Sequence, residues 1–177
     1  MDLATLLWKV LGYGVLPLWL SAGAADWLCH RRTSIERTSG PGESVFHAVL
    51  YLQIAIPVLL ATYLEINAAM LLLFALAVLA HMGTSWWDTA FSQPRRHIAP
   101  IEQQVHSWLE MLPLFALVLV VLLHWPALSQ PHWSFAPRHQ SLPAPWNVAI
   151  PVLLGAGILP ILEEWFRGWR TQRTPAS

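Results

Sequence analysis

Three Asp/Glu-to-His pairs stand out among the side chains of this sequence that could hold a metal ion. In each pair the two residues are four positions apart, and the pairs are Asp26/His30, Glu43/His47 and Glu102/His106. Residues with this spacing share one face of an α-helix and lie about 6 Å apart along its axis. Carboxylate with imidazole is a ligand set that suits iron, manganese or zinc and needs no thiolate. The pairs therefore indicate metal-ligand chemistry wherever the helices that carry them meet.

Further candidate ligands lie near these pairs in the sequence. His81 and Asp88 are seven positions apart, which again places them on one helix face, and His97 follows shortly after. Two metal ions with four to six positions each need roughly eight to twelve protein and solvent ligands. The nine predicted metal ligands, enough for two ions, are Asp26, His30, Glu43, His47, His81, Asp88, His97, Glu102 and His106. Glu36 and Glu110 are predicted as catalytic acids or bases, or as groups that orient an imidazole.

The composition indicates that membrane-spanning helices carry these residues. Of the 177 residues, 55% are hydrophobic and only 11% are charged, whereas a soluble domain carries about 25% charged residues. A net charge of zero also argues against a nucleic-acid partner. Five stretches reach the roughly 20 apolar residues that a spanning helix needs, at about 3–28, 45–64, 68–87, 105–125 and 146–166. We expect an all-α integral membrane protein with a single domain over 1–177 and an external loop at 126–145.

The positions of the basic residues predict the orientation. Arginines follow the first, third and fifth predicted spans, whereas the other side has only Lys9 and Arg138. Since cytoplasmic loops are enriched in Lys and Arg, the pattern places the N-terminus outside and the C-terminus in the cytoplasm of a plasma (inner) membrane. The candidate ligands then lie near the cytoplasmic ends of the first four helices, which we expect to form a bundle around a polar site. Glu163 and Glu164 of the fifth helix are predicted to be interfacial charges.

Explanations without a metal exist for some of these residues. Glu43 and Glu102 fall near helix starts, where the helix dipole favours negative charge. His81 alone could simply hydrogen-bond to the backbone. A lattice of ion pairs between the acids and the neighbouring arginines is the strongest structural alternative. It does not readily explain why several histidines lie in register with the acids.

The histidine-rich clusters at the ends of the spans resemble those of integral-membrane non-haem di-iron enzymes such as the fatty-acid desaturases and hydroxylases. The resemblance covers about residues 20–112. The chain lacks the His-x-x-x-His and His-x-x-His-His boxes of that superfamily, and acids replace part of those histidines. The resemblance implies a membrane di-metal site, with iron as the expected metal, that oxidises a lipid or other apolar substrate. Since the sequence has no phosphate-binding glycine loop for a nucleotide, the electrons would come from an external donor.

Other functions stay open at the level of the sequence. Zinc or manganese in the same site would make a hydrolase, with Glu110 or Glu36 as general base. His47 and His106 begin neighbouring spans and could be the axial ligands of a haem electron carrier. A transporter is a further alternative, although its site is expected near the middle of the membrane. Among these, the di-iron oxidoreductase is the preferred hypothesis.

Overall fold

A computed structural model describes residues 1–142 and 144–173 of the chain. Within these residues it is helical and has no strand, apart from one isolated bridge between Leu64 and Pro137. Five helices are long and apolar enough to cross a membrane, which confirms the number of apolar helices predicted from the sequence. They are α1 (Leu3–Thr33), α2 (Pro41–Tyr63), α3 (Ala68–Ser92), α4 (Pro100–Leu123) and α5 (Trp146–Arg173).

Each helix extends past its apolar stretch at one end of the bundle, which we call the polar end. There α1, α3 and α5 finish several residues later than hydropathy predicts, and α2 and α4 begin earlier. Pro41 and Pro100 occupy the first positions of α2 and α4, where the missing N–H of proline costs no hydrogen bond. Hydropathy reports only the apolar length, whereas backbone hydrogen bonding continues through polar turns. These additional turns bring Glu43, Asp88 and Glu102 inside the helices.

The five helices form a closed ring. Going around it, α1 packs on α4, α4 on α3, α3 on α2, α2 on α5, and α5 returns to α1. The central core takes a buried side chain from every helix, namely Trp19, Ile54, Val78, Leu112 and Leu154. α5 is therefore an integral member of the bundle, and its polar end lies beside those of α1 and α2.

The two ends of the bundle are covered differently. At the end opposite the polar end, the segment after α4 forms the one-turn helix Pro126–Ser129 and then folds over the turn between α2 and α3. The N–H of Glu65 donates to the carbonyl of Ala136 (3.0 Å), and the N–H of Arg138 donates to that of Tyr63 (2.8 Å). At the polar end, the links 34–40 and 93–99 each bury an isoleucine, Ile35 and Ile98. The polar end is thus closed by short packed links.

Candidate metal centre

Nine charged or titratable side chains meet at the polar end, and every helix supplies at least one. Because residues four apart share a helix face, α1, α2 and α4 each bring a carboxylate and an imidazole. α3 and α5 bring one carboxylate each, and the link 93–99 brings an arginine. We call this group the polar cluster; it consists of Asp26, His30, Glu43, His47, Asp88, Arg96, Glu102, His106 and Glu164.

His30 lies at the middle of the polar cluster and is only 1% exposed. Its Nδ1 is 3.3 Å from Oε2 of Glu164. Its Nε2 is 3.4 Å from Oδ1 of Asp26 and 3.4 Å from Oε1 of Glu102. An ionised carboxylate only accepts hydrogen bonds, so Nδ1 must be the donor to Glu164. In the neutral ring, Nε2 then faces two carboxylates with a bare lone pair.

His47 repeats this arrangement on α2. Its Nδ1 donates to the other oxygen of Glu164, Oε1, at 2.8 Å. Its Nε2 is 3.6 Å from Oδ2 of Asp88 and 3.9 Å from Oε1 of Glu43. The rings of His30 and His47 are stacked, with centroids 4.3 Å apart and planes 5° from parallel. Two imidazoles thus share one orienting carboxylate and direct their free nitrogens towards separate pairs of acids.

The spacing of these donor atoms fits metal coordination. Two groups of ligand atoms lie within 4.8 Å of one another. One has four atoms, from Asp26, His30, Glu102 and His106, and the other has three, from His30, Glu43 and His47. Nε2 of His106 completes the first group at 2.9 Å from Oδ1 of Asp26. Ligands bound at about 2.0–2.2 Å in tetrahedral geometry lie roughly 3.4 Å apart. The separations in the polar cluster fall close to this value.

Arg96 is the permanent cation of the polar cluster. Its Nε donates to both carboxylate oxygens of Glu43 (3.1 and 3.0 Å), and its Nη2 donates to Oε1 of Glu102 at 2.5 Å. Ser39 donates its hydroxyl to Glu43 as well. Burial by itself lowers the pKa of Arg96, but the hydrogen bonds to Glu43 and Glu102 outweigh it and raise the pKa above its ordinary value. These contacts are ion pairs between acids and an arginine, as in the structural alternative described in the sequence analysis.

Arg96 leaves much of the charge in the polar cluster uncompensated. Five carboxylates and one guanidinium give a formal charge of −4 when the three imidazoles are neutral, and −1 when all three are protonated. Burying unpaired charge is costly. Protonated rings would have carboxylate oxygens nearby, at 3.4 Å from Nε2 of His30 and at 3.6 and 3.9 Å from Nε2 of His47. In the present geometry, however, neither of these buried nitrogens forms a hydrogen bond within the described part of the chain. Two divalent cations would both cancel the charge of −4 and satisfy these nitrogens.

Seven of the nine predicted ligands belong to the polar cluster, and two lie elsewhere. The ring of His81 lies between the backbone carbonyls of Leu50 (3.1 Å) and Leu109 (3.3 Å). His97 is exposed on the link 93–99. Neither predicted catalytic acid reaches the polar cluster. Glu36 accepts a hydrogen bond from Arg167 at 2.6 Å, and Glu110 has no hydrogen bond or ion pair within 1–142 and 144–173.

Glu164 is the member of the polar cluster that the sequence reasoning missed. The prediction that both Glu163 and Glu164 are interfacial is wrong for Glu164, which is only 4% exposed and contacts two imidazoles. Consecutive helical residues point about 100° apart, so Glu163 faces outwards and accepts a hydrogen bond from Trp27 Nε1 (2.9 Å). The expectation that only the first four helices surround the site is corrected accordingly. One feature of the sequence could have indicated this position. The first and fifth predicted spans end on the same side of the membrane, which brings Glu164 to the same level as His30.

Comparison with known proteins adds no relative from which a role could be transferred. No family model, no curated protein and no solved structure matches the chain. The resemblance to membrane di-iron enzymes therefore stays a prediction, and the function must be argued from the polar cluster.

Proposed function

We propose that this protein is a membrane-embedded di-metal oxidoreductase that acts on a lipid or another apolar substrate. The observation that carries the proposal is the pair of buried Nε2 atoms of His30 and His47. Each faces two carboxylates, and each lacks a hydrogen bond within the described residues. This arrangement suits a cation, and it is repeated on a second helix.

The residues divide into two adjacent ligand groups. One ion would be held by Asp26, His30, Glu102 and His106. Oε1 of Glu102 accepts a hydrogen bond from Arg96. Its Oε2 is buried and unpaired within the described part of the chain, so this oxygen is free to bind a metal ion. Since His30 is assigned to the first ion, the second ion would be held by His47 and by Asp88, which lies 3.6 Å from its Nε2. Glu43 would contribute less, because Arg96 and Ser39 already donate hydrogen bonds to its two oxygens. Solvent would complete both coordination shells.

Iron is the proposed metal because carboxylate-rich sites with some imidazole, inside a helical bundle, are the setting of non-haem di-iron chemistry. Such a centre, when loaded, supplies O₂ activation and attack on a C–H bond. Hydroxylation inserts one oxygen atom into that bond and reduces the other to water, which consumes two electrons and two protons from an external donor. The protein's own part is to hold the ligands, to exclude water and to position the substrate.

The substrate is proposed to approach between α1 and α4. Asp26 and His106 are the most exposed carboxylate and imidazole of the polar cluster, with side chains 13% and 18% exposed. Leu28 and Trp108, two positions further along the same two helices, are exposed apolar side chains on the outer faces of α1 and α4. The arginines at the polar end support the proposal that this opening lies at the cytoplasmic side of the plasma membrane, with the N-terminus outside. A reporter active only in the cytoplasm, fused after α5, tests the orientation.

The geometry gives less support to the alternatives. A hydrolase that uses Glu36 or Glu110 as general base would need one of them beside the ligands, whereas Glu36 is paired with Arg167. A haem between His47 and His106 would need an open, apolar gap. His30 lies in that region, stacked on His47 and 6.1 Å from the ring of His106.

Elemental analysis of the detergent-purified protein from iron-supplemented cells, together with an absorption spectrum, tests the proposal. We expect about two irons per chain and no Soret band. His30→Ala and His47→Ala should lose metal. His97→Ala is the matched control, because His97 is an exposed histidine outside the polar cluster, and it should keep both ions.

Three results would redirect the proposal. Two zinc or manganese ions with oxygen-independent turnover would favour a hydrolase. A Soret band would favour a haem carrier. Folded protein without bound metal, made in cells supplied with iron, zinc and manganese, would leave the polar cluster as an ion-pair lattice and refute the metal hypothesis.

A further inference from the structure

Glu164 has an unusual place in the polar cluster because its two oxygens bind two different imidazoles. Oε2 lies 3.3 Å from Nδ1 of His30, and Oε1 lies 2.8 Å from Nδ1 of His47. No ion pair with Lys or Arg at Glu164 is found within the described residues, whereas its neighbour Glu163 pairs with Arg31 at 3.7 Å and with Arg167 at 3.5 Å. The charge of Glu164 is thus directed at the two rings alone.

This contact determines which nitrogen of each ring carries the hydrogen. A carboxylate has no hydrogen to give, so both Nδ1 atoms must donate to it. Each neutral ring then presents Nε2 as a lone pair, and in both rings Nε2 is the atom that faces the acids of a ligand group. Metal-binding histidines are commonly oriented in this way by a carboxylate that does not itself bind the metal.

We propose that Glu164 is the positioning residue of the metal centre, one carboxylate that sets the tautomer and the orientation of both His30 and His47. This inference rests on the proposed function. In this assignment α5 couples the two metal positions, because a substitution of Glu164 affects the orientation of both rings. Glu164 is not itself a ligand in this assignment.

Glu164→Gln tests the inference, with Glu163→Gln as the matched control on the same helix turn. The amide oxygen of glutamine can accept a hydrogen bond from one Nδ1–H only, and its NH₂ group then faces the other ring. That ring must move its hydrogen to Nε2, which removes a ligand atom. We expect Glu164→Gln to weaken Fe²⁺ binding in at least one position by about tenfold to a hundredfold. Glu163→Gln should match the wild type, and Glu164→Asp should fall between them.

A second readout follows the tautomers themselves. In full-length protein loaded with Zn²⁺, which is diamagnetic, ¹⁵N NMR of labelled histidine should find Nδ1–H with metal-bound Nε2 for both His30 and His47. Glu164→Gln should convert one ring to the Nε2–H form. A purely structural role for Glu164 would lower stability without this conversion.

The outcomes separate this inference from the function on which it rests. A wild type that binds neither Fe²⁺ nor Zn²⁺ would overturn both. A wild type that binds two ions, while Glu164→Gln binds them as tightly as Glu163→Gln, would overturn the role of Glu164 alone. Nε2–H tautomers at His30 and His47 in the Zn²⁺-loaded wild type would also overturn it.

Discussion

Arg96 supplies the positive charge that the protein itself places in the polar cluster. Its side chain is only 2% exposed, and it joins Glu43 at the start of α2 to Glu102 at the start of α4. The neighbouring Arg95 is exposed, donates to the carbonyl of Phe91 and stacks on the ring of that residue, with its guanidinium carbon 3.8 Å from the ring centroid. The two consecutive arginines therefore offer a matched comparison between a buried and a surface charge.

Arg96→Gln should destabilise the folded protein by about 3–5 kcal/mol, because it leaves two buried carboxylates without their partner. Arg95→Gln should change stability by no more than about 0.5 kcal/mol, as is usual at the surface. Unfolding in detergent measures both values. The double variant Glu43→Gln/Arg96→Gln should regain part of the loss, since one of the stranded charges is removed with the arginine. Equal stabilities of the two arginine variants would contradict this assignment.

His81 differs from the histidines of the polar cluster in its surroundings. It contacts backbone carbonyls rather than acids, so it fits the hydrogen-bonded alternative that the sequence left open. We expect His81→Ala to lower stability by about 1–3 kcal/mol, through the loss of a buried hydrogen bond, and to retain the full metal content. His47→Ala should show the opposite pattern in elemental analysis, with metal lost. Loss of metal in folded His81→Ala protein would argue that His81 is a ligand.

Local spacing explains why some of the site could be predicted from the sequence and some could not. The pairs Asp26/His30, Glu43/His47 and Glu102/His106 were recognisable because a four-residue spacing fixes a shared helix face without any knowledge of packing. The contacts of His81 and Glu164 depend on the rotation of α3 and α5 against their neighbours. That rotation is set by side-chain packing over the whole bundle, and no short segment encodes it.

At the scale of the elements, the contact between α2 and α5 positions Glu164. Tyr51 of α2 donates its hydroxyl to the carbonyl of Leu154, and its ring lies against Gly157. A Cβ atom at Gly157 would come within 2.7 Å of the Tyr51 hydroxyl, whereas one at Gly155 would meet nothing within 4 Å. Small residues permit such close approach of helices in membranes. Gly157 lies two helical turns before Glu164, on the same face of α5.

Gly157→Ala should therefore push α5 away from α2 and destabilise the protein by about 1–3 kcal/mol, the usual cost of overpacking. Because the displacement also affects Glu164, metal binding should weaken in parallel. Gly155→Ala should leave metal binding unchanged and should be neutral or stabilising by up to about 1 kcal/mol, since alanine is the better helix former. Thermal unfolding and metal titration of the two variants measure both effects. If Gly157→Ala behaved like Gly155→Ala, the contact between α2 and α5 would not control the site.

The helices themselves were predictable to different degrees. Five apolar stretches of about 20 residues can be counted directly, and the structure has five matching helices. A hydropathy average does not detect their polar extensions, because residues such as Glu43 and Asp88 lower the mean hydropathy of any window that contains them. The ring order of the helices is set by contacts between distant segments, and it places α5 between α1 and α2. Since neighbours along the chain need not be neighbours in the ring, the part played by α5 in the site could not be predicted.

At the scale of the whole molecule, the polar cluster draws on all five helices at the polar end, as the apolar core does in the middle of the bundle. Ions bound there would tie the polar ends of the helices together. Ligands that bind only the folded state stabilise it by about 2.7 kcal/mol when present at a hundred times their dissociation constant. For a chain of this size, each kcal/mol shifts the unfolding midpoint by about 2–4 °C.

Removal of the metal should therefore lower the unfolding midpoint of the detergent-purified protein by at least about 5 °C. The comparison is between protein treated with a chelator and the same protein reloaded with Fe²⁺ under anaerobic conditions. The double variant His30→Ala/His47→Ala is the control, and its midpoint should not respond to either treatment, because its ligand groups are incomplete. His97→Ala should respond like the wild type. A wild type that contains metal but keeps its midpoint on chelation would mean that the ions lie outside the polar cluster. Arg96 and protonated imidazoles would then offset most of the charge of the cluster without a metal ion.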